Sequence, residues 1–251
     1  MTEQKILHNT HASKAESYDI GRPEYPVDFF DFLYGEIGFT ANQVIADIGC
    51  GTGKVTRHFL ERGNKVIAIE PDVDMLHIAD IKLNKYPNYS SFQRTAEDTG
   101  IETDSINCIF CGNSYYWFER GKTVPEFKRI LRKNSIIVTS WLGNEANKYD
   151  GELFEIREKY KKIVLNKHDE SPVFLPGTFQ EKTFSFIVYE NMEEFLHGSL
   201  SASSAPSKLD DTHEFFCQEI HDLFVKYSIN KKIEAAMKLY CMIGSVENLS
   251  I

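Results

Sequence analysis

A glycine-rich loop between an apolar segment and a helical segment is the feature of this sequence that most limits its fold. The chain reads VIADIGCGTG over residues 44–53, and residues 53–62 follow with the pattern of a helix. Glycines at such a junction permit a tight turn and let the backbone approach a ligand closely. The loop therefore predicts an α/β fold that binds a small ligand at the end of a strand.

The residues around the glycines distinguish between the ligand classes that use such a loop. A phosphate-binding P-loop needs G-x-x-x-x-G-K-S/T. Here Lys54 is followed by Val55, and the position of the first glycine holds Ile48. A dinucleotide-binding loop needs G-x-G-x-x-G, and counted from Gly49 the third glycine position holds Lys54. Both patterns therefore fit this loop incompletely.

The acidic residue ahead of the first glycine, Asp47, separates the cases further. A carboxylate at this position would repel a pyrophosphate but attract a cationic amino group. S-adenosylmethionine carries an α-ammonium and a sulfonium, and it has no phosphate. Asp47 therefore favours S-adenosylmethionine over NAD as the cofactor.

Three more positions follow predicted strands and extend this site. Glu70 ends the second strand, KVIAIE, where a carboxylate can accept hydrogen bonds from both ribose hydroxyls. Ala96 and Glu97 follow the third strand, within reach of an adenine amino group, and Gly112-Asn113 ends the fourth. Ligands of open α/β sheets bind outside the carboxyl ends of the strands. These positions therefore predict one cofactor site along that edge.

Apolar periodicity alternates between strands and helices along the chain, which predicts a doubly wound parallel sheet with helices on both faces. The predicted helices cover residues 25–38, 53–62, 72–84, 122–133, 149–165, 192–201 and 210–228. The predicted strands cover the segment ahead of the glycine loop and residues 65–70, 90–98, 105–112, 135–142, 183–190 and 238–246. Residues 201–208 are rich in serine and alanine and are typical of a loop.

Composition excludes several function classes. A net charge of −9 over 251 residues argues against nucleic acid as a partner, because phosphate backbones need clustered Lys and Arg. No apolar run reaches the roughly 20 residues that span a bilayer, and the N-terminus lacks the features of a signal peptide. We therefore expect a cytoplasmic protein that acts on a small molecule, does not enter a membrane, and is a monomer or a homodimer.

The five cysteines suit a reducing compartment, because their number is odd and their spacing irregular. Cys108 and Cys111 form a C-x-x-C inside a predicted strand, where residues three apart point to opposite faces. The pair is therefore predicted to be buried as small hydrophobes, and no metal site is expected.

The motifs DIGCGTG, E-P and A-E-D and the fourth-strand segment resemble those of class I S-adenosylmethionine-dependent methyltransferases. More narrowly, the chain resembles the small-molecule branch that includes the trans-aconitate methyltransferase-like proteins. Four segments carry this narrower resemblance: Y-x-x-x-R-P-x-Y-P at residues 18–26, Tyr116-Trp117-Phe118, residues 127–132, and the Ser-Ala-Pro segment at residues 201–206. The resemblance covers nearly the whole chain.

This resemblance implies a seven-stranded, mostly parallel, Rossmann-like sheet with an antiparallel last strand and a helical lid or insertion. It implies one methyltransferase domain with an N-terminal helical lid at 1–40, a cofactor-binding core at 41–143, and a substrate-side insertion with the last two strands at 144–251. The residues that it implies for cofactor binding are Tyr18, Arg22, Asp47, Gly49, Cys50, Gly51, Gly53, Glu70, Pro71, Met75, Ala96, Glu97 and Asn113.

Methyl transfer is an in-line displacement, so the protein must align a nucleophile with the methyl group and can also remove its proton. The candidate catalytic residues are Tyr116, Tyr18 and His197. The chain departs from the family at Tyr116, where a histidine is usual, and at Asn134-Ser135, where Gly-Gly is usual. Asn tolerates left-handed backbone, so the second departure is interpreted as a turn variant.

The predicted function is methyl transfer from S-adenosylmethionine to an O, N or C nucleophile of a small metabolite, with natural-product biosynthesis as one setting. Two alternatives stay open. The chain could bind the cofactor without transferring methyl, since fold does not settle activity. It could also be an NAD(P)-dependent oxidoreductase, although the missing third glycine and the position of Asp47 both argue against that alternative.

Overall fold

The computed structural model describes residues 14–162 and 179–249, and the elements below lie within them. The helices are α1 (Ala15–Gly21), α2 (Val27–Gly35), α3 (Lys54–Glu61), α4 (Val73–Leu83), α5 (Arg120–Ile130), α6 (Asp150–Tyr160), α7 (Met192–Leu200) and α8 (His213–Tyr227). The strands are β1 (Val44–Ile48), β2 (Lys65–Ile69), β3 (Tyr89–Phe92), β4 (Ile106–Gly112), β5 (Leu131–Asn144), β6 (Gln180–Glu190) and β7 (Ile233–Ser245).

The strands of the described residues form one seven-stranded sheet in the order β3-β2-β1-β4-β5-β7-β6. Pairing is parallel from β3 through β5, and the last strands are antiparallel. The order reverses between β1 and β4, which is the point where ligands of open α/β sheets bind. The predicted Rossmann-like fold is therefore confirmed, and β1 and the glycine loop lie at its reversal point.

The chain divides into two compact units, which we call the sheet unit and the helical unit. The described part of the sheet unit comprises residues 24–142, 179–184 and 239–249, and its core includes the fully buried rings of Phe29, Phe59 and Phe110. The described part of the helical unit comprises residues 14–23, 143–162 and 185–238. There α1 packs on α7, and both α6 and α7 pack on α8.

Three predicted strand boundaries are wrong. β3 ends at Phe92 instead of residue 98, because the chain then turns back on itself through an antiparallel bridge between Thr95 and Asp98. β5 begins at Leu131, four residues early, and its pairing with β4 is irregular there. Asn134 lies in this irregularity with a φ of 61°, which confirms the left-handed backbone expected there, although the residue lies within β5 and not in a separate turn.

β7 also begins earlier than predicted, at Ile233 instead of residue 238. The predicted helix at 149–165 ends at Tyr160, and its residues 163–165 lie outside the described part of the chain. Cys108 and Cys111 are fully buried in β4, which confirms their interpretation as small core residues. None of the described helices is both long and apolar enough to cross a bilayer.

Candidate functional site

The glycine loop after β1 packs so tightly at Gly49 that no side chain fits there. Gly49 has a φ of 73°, and a Cβ added there would lie 2.5 Å from the Cβ of Ser114. The Ser114 hydroxyl in turn donates to the Ile48 carbonyl at 2.7 Å. The left-handed backbone and this close packing both require glycine. Gly51 and Gly53 also have positive φ, at 57° and 78°, and α3 begins directly after them.

Asp47 is a buried carboxylate at the carboxyl end of β1, with 2% of its surface exposed. Its Oδ2 accepts a hydrogen bond of 2.5 Å from the Thr56 hydroxyl on α3. Among the described residues, no basic side chain forms an ion pair with it. Burial raises the pKa of Asp47 to about 7, although the Thr56 bond opposes that rise. Asp47 is therefore a buried acid whose charge no protein cation balances.

Glu70 is a second buried acid, at the end of β2, with 8% of its surface exposed. Its Oε2 accepts from the Gly51 N–H at 2.8 Å, and its Oε1 accepts from the Asp72 N–H at 3.0 Å. Burial raises the pKa of Glu70 to about 7, and these backbone bonds oppose the rise. Glu70 therefore fastens the glycine loop to the end of β2, and its acceptor oxygens have capacity for further donors.

The chemistry of these groups fits S-adenosylmethionine. Asp47 and Glu70 offer buried acceptors for an ammonium group and for ribose hydroxyls, which are donors. The Thr52 hydroxyl, in the same loop, is buried and has no hydrogen-bond partner in the described part of the chain, so it has capacity for a ligand. Cys50 also lies in this loop, and burial raises the pKa of its thiol well above the usual value. A thiol that stays protonated is suited to packing rather than to nucleophilic attack.

Asn113 joins the ends of β4 and β5. Its backbone is left-handed, with a φ of 53°. Its Oδ1 accepts from the Leu142 N–H at 2.9 Å, and its Nδ2 donates to the Tyr25 hydroxyl at 3.3 Å. The Tyr25 hydroxyl also bonds to the Ser140 hydroxyl at 3.0 Å. Sequence analysis assigned no role to Tyr25 or Ser140, although Tyr25 belongs to the Y-x-x-x-R-P-x-Y-P motif.

The residues predicted to surround adenine lie on the loops after β2 and β3. Met75, on α4, and Ala96 are buried, whereas Pro71 is half-buried. The Asp72 side chain caps α4 by accepting from the Met75 N–H at 3.1 Å. Glu97 is half-buried, and its Oε1 accepts from the Glu119 N–H at 2.8 Å, at the start of α5. The sequence missed this structural role of Glu97, and its contact with adenine stays a prediction.

Tyr116 lies in a short 3₁₀ turn, Tyr115–Trp117, that follows β4. Its ring is half-buried and is 5.4 Å from the ring of Tyr115 and 5.7 Å from that of Trp117. Burial raises the pKa of Tyr115 above the usual value for a phenol. The turn is therefore an aromatic cluster of the sheet unit, and a catalytic role for Tyr116 stays a prediction.

The other predicted site residues, Tyr18, Arg22 and His197, belong to the helical unit. The Arg22 guanidinium lies 5.4 Å from the centre of the Tyr18 ring. The Nδ1 of His197, on α7, lies 3.0 Å from the Ser17 hydroxyl on α1. These contacts bring the three residues into one helical cluster, and their roles in binding or catalysis stay predictions.

The serine-rich loop of the helical unit is held by one buried lysine. Lys14 is 5% exposed, and its ammonium donates to the carbonyls of Ala202 at 2.7 Å and Ala205 at 2.6 Å. Burial lowers the pKa of Lys14 to about 8, although the negative charge of Asp210 acts to raise it. The predicted loop at residues 201–208 is confirmed, and Lys14 anchors its backbone.

Glu24 is a contrasting acid in the sheet unit, because basic side chains surround it. Its carboxylate lies 3.2 Å from the Lys54 ammonium, 3.0 Å from the Arg57 guanidinium and 3.4 Å from the His58 ring nitrogen. The bond with His58 and the charges of Lys54 and Arg57 outweigh partial burial and lower the pKa of Glu24 to about 2. Glu24 thereby ties the segment before α2 to α3, which follows the glycine loop.

This chain is similar to methyltransferases in sequence. Residues 46–139 match the family model described as a methyltransferase domain. An uncharacterized methyltransferase of Schizosaccharomyces pombe is 24% identical over 174 residues, which are 68% of this chain and 68% of that protein. An uncharacterized methyltransferase of Mycobacterium bovis is 30% identical over 129 residues, so the match spans 51% of this chain but only 50% of that relative.

A solved structure from Anaeromyxobacter dehalogenans, assigned as a type II methyltransferase, aligns with a TM-score of 0.66. It is 18% identical to this chain, and the alignment covers 90% of this chain and 98% of that one. At that identity the likeness concerns the fold alone. The family match covers β1 through β5, the same segment that carries the glycine loop, Asp47 and Glu70.

Proposed function

Because this chain contains a class I S-adenosylmethionine-dependent methyltransferase domain, we propose that it methylates an O, N or C nucleophile of a small-molecule metabolite. Natural-product biosynthesis is one setting for such a reaction. One observation carries the proposal: the two buried acids Asp47 and Glu70 flank the glycine loop, and Glu70 is hydrogen-bonded to it. A net charge of −9 also favours a small molecule over nucleic acid.

The sheet unit supplies the cofactor-binding groups in this proposal. Asp47 would hold the ammonium of the methionine moiety, and Glu70 would hold the ribose hydroxyls. The glycines at 49, 51 and 53 let the backbone come close to the ligand. When bound, S-adenosylmethionine supplies an electrophilic methyl group on a sulfonium.

The protein's own task is to exclude water, orient the nucleophile and, where the nucleophile carries a proton, accept that proton. Tyr116, Tyr18 and His197 are the proposed orienting or proton-accepting groups. The Nδ1 of His197 lies 3.0 Å from the Ser17 hydroxyl, and this hydrogen bond would orient the imidazole ring. Tyr18 and Arg22 are proposed to belong to an N-terminal lid at residues 1–40, of which residues 1–13 lie outside the described part.

The first experiment is calorimetric titration of the full chain with S-adenosylmethionine, S-adenosylhomocysteine and NAD⁺. We expect both sulfur compounds to bind and NAD⁺ not to bind. Glu70→Gln keeps the shape of the side chain but removes its charge, and it should weaken binding by about 1–3 kcal/mol. Glu24→Gln is the matched control, because Glu24 lies in the same unit with its charge already balanced. Binding of NAD⁺ alone would refute the proposal.

The next measurement tests the alternative that the chain binds the cofactor without transferring methyl. Transfer of a labelled methyl group to any member of a metabolite library would exclude a chain that only binds the cofactor. Tyr116→Phe and His197→Ala should leave cofactor affinity nearly unchanged. Each substitution should lower turnover only if the replaced side chain orients or deprotonates the nucleophile. Lower turnover at unchanged cofactor affinity would therefore distinguish a catalytic role from a structural one.

A further inference from the structure

Two arginines of the helical unit, Arg22 and Arg157, carry buried nitrogens that no acceptor satisfies. The Nε atoms of both side chains are shielded from solvent and have no hydrogen-bond partner among the residues that the structure describes. Within residues 14–162 and 179–249, neither arginine forms an ion pair. Buried polar groups in proteins almost always have a partner, and exceptions often mark the position of an ion or ligand.

The two guanidinium groups also act on each other. Burial lowers the pKa of Arg157, and the positive charge of Arg22 lowers it further. The charges of Asp150, Tyr149 and Glu190 act in the opposite direction and raise it. Like charges in a partly dehydrated place repel one another. An anion that contacts both arginines would balance this repulsion and would also satisfy their Nε donors.

The backbone that carries Arg22 is fixed by a close helix crossing. Gly21 ends α1, and a Cβ added to it would lie 1.9 Å from the backbone nitrogen of Gly198 on α7. The Tyr18 ring, one turn earlier, lies beside the Arg22 guanidinium. Arg157 lies in the last turn of α6. Arg157 therefore lies on a packed helix, and Arg22 follows directly after the tightly packed end of another, which favours a preorganised site.

The neighbouring groups limit the ligand that would fit. The carboxylates of Asp150 and Glu190 act on Arg157, so a polyphosphate would be repelled there. A single carboxylate or phosphate group suits two guanidinium forks, because each fork donates two parallel hydrogen bonds to such an oxyanion. The rings of Tyr149 and Phe195 pack 5.5 Å apart in the same unit and add aromatic surface.

We propose that Arg22 and Arg157 form an oxyanion-binding site that takes the acidic group of a small-molecule substrate. This inference rests on the proposed function and narrows its substrate class to acidic small molecules. It also assigns Arg22 to the substrate, whereas the sequence assigned Arg22 to the cofactor.

The test is calorimetric titration of the full chain with inorganic phosphate and with succinate at constant ionic strength. Arg22→Met and Arg157→Met should each weaken oxyanion binding by about ten- to a hundredfold, the loss expected for hydrogen bonds to a charged group. Arg157→Lys keeps the charge without the fork and should retain part of the affinity. Arg94→Met is the matched control, because its side chain is 52% exposed and paired with Asp98.

Two arms distinguish the possible sources of the oxyanion. Tighter binding of phosphate than of succinate would identify a phosphorylated substrate, and the reverse order would identify a carboxylic acid. The proposal is wrong if the wild type binds neither probe, or if the arginine variants bind both probes as the wild type does. The proposal is also wrong if the arginine variants no longer bind S-adenosylhomocysteine and the wild type binds neither probe. The arginines would then bind the cofactor.

S-adenosylhomocysteine binding to the wild type keeps this test independent of the proposed function. If it binds while the oxyanions do not, the arginine site fails alone. If oxyanions bind through the arginines while S-adenosylhomocysteine does not bind, the methyltransferase proposal fails alone. Circular dichroism of each variant checks that the chain is folded, and Arg157→Lys provides a conservative variant should a methionine variant unfold.

Discussion

The acid pair of the sheet unit and the arginine pair of the helical unit are buried groups of opposite charge. In the sheet unit, Asp47 and Glu70 are buried acids that form no ion pair with any described residue. In the helical unit, Arg22 and Arg157 have buried donors that no acceptor satisfies. Buried charges are normally paired, because removing them from water is unfavourable. We therefore propose a ligand of opposite charge for each site: a cationic cofactor for the acids and an oxyanion for the arginines.

The largest expected effect comes from Asp47→Asn, which would weaken S-adenosylmethionine binding by about 1–3 kcal/mol. The same variant should stabilise the unliganded protein at pH 8, because it removes an ionised carboxylate that is buried without a counter-ion. Calorimetry and chemical denaturation measure the two effects separately. Loss of both affinity and stability would mean that Asp47 is a structural acid and would break the comparison.

Arg157→Met is the corresponding change in the helical unit and should raise the free energy of unfolding of the unliganded protein by ~1 kcal/mol. The reason is that it removes a partly buried cation that repels Arg22. Urea denaturation with and without saturating succinate or phosphate is the measurement. A strongly destabilised variant would show that the aliphatic part of Arg157 matters more than its charge.

Cofactor affinity should depend on pH near neutrality. Burial raises the pKa values of Asp47 and Glu70 to about 7, so the folded, unliganded protein holds protons that the unfolded chain has released. These two groups therefore favour the folded state as pH falls from about 7 towards 4, and that contribution is lost as pH rises through 7.

Binding of an ammonium group needs the ionised acids, so the sign for the cofactor is the reverse. S-adenosylhomocysteine affinity should fall below pH 7, by up to about tenfold per pH unit for each proton released. Calorimetry at pH 6 and pH 8 measures this slope, and Asp47→Asn should flatten it. An affinity that does not change with pH would place the ammonium elsewhere.

The smallest effect is expected at Glu24, where the charge is already balanced. Three basic groups lower its pKa to about 2, so Glu24 stabilises the fold above its unfolded pKa, and this contribution is lost as pH falls through 2. Its side chain is 50% exposed, so screening by solvent reduces the gain, and Glu24→Gln should lower stability at pH 7 by about 0.5 kcal/mol. A change in stability larger than the change that Arg157→Met produces would contradict the ordering.

The sequence predicted the two regions to different extents, for a physical reason. Asp47, the glycines and Glu70 follow strands within a short segment, so local pattern brings them to one edge of the sheet. Arg157 lies far along the chain from Arg22, on a helix with no motif, and only tertiary structure reveals its unsatisfied Nε.

The strand errors have a similar origin. β5 begins with Leu131, but the polar residues 132–134 conceal the pairing, because they belong to the irregularity against β4. β7 begins with alternating burial at Ile233, Ala235 and Met237, where a small alanine weakens the apolar pattern. The local pattern likewise does not reveal the bond that Glu97 accepts from the Glu119 N–H, and its predicted contact with adenine stays a prediction.

The glycine contact between α1 and α7 has a mechanical consequence. No side chain separates Gly21 from Gly198, and an added methyl group would collide with backbone rather than with a side chain that could turn aside. This crossing leaves little room for α1 to tilt or slide without displacing the backbone of α7. Arg22 directly follows α1 and His197 directly precedes Gly198, so we expect the backbones of these two residues to shift together.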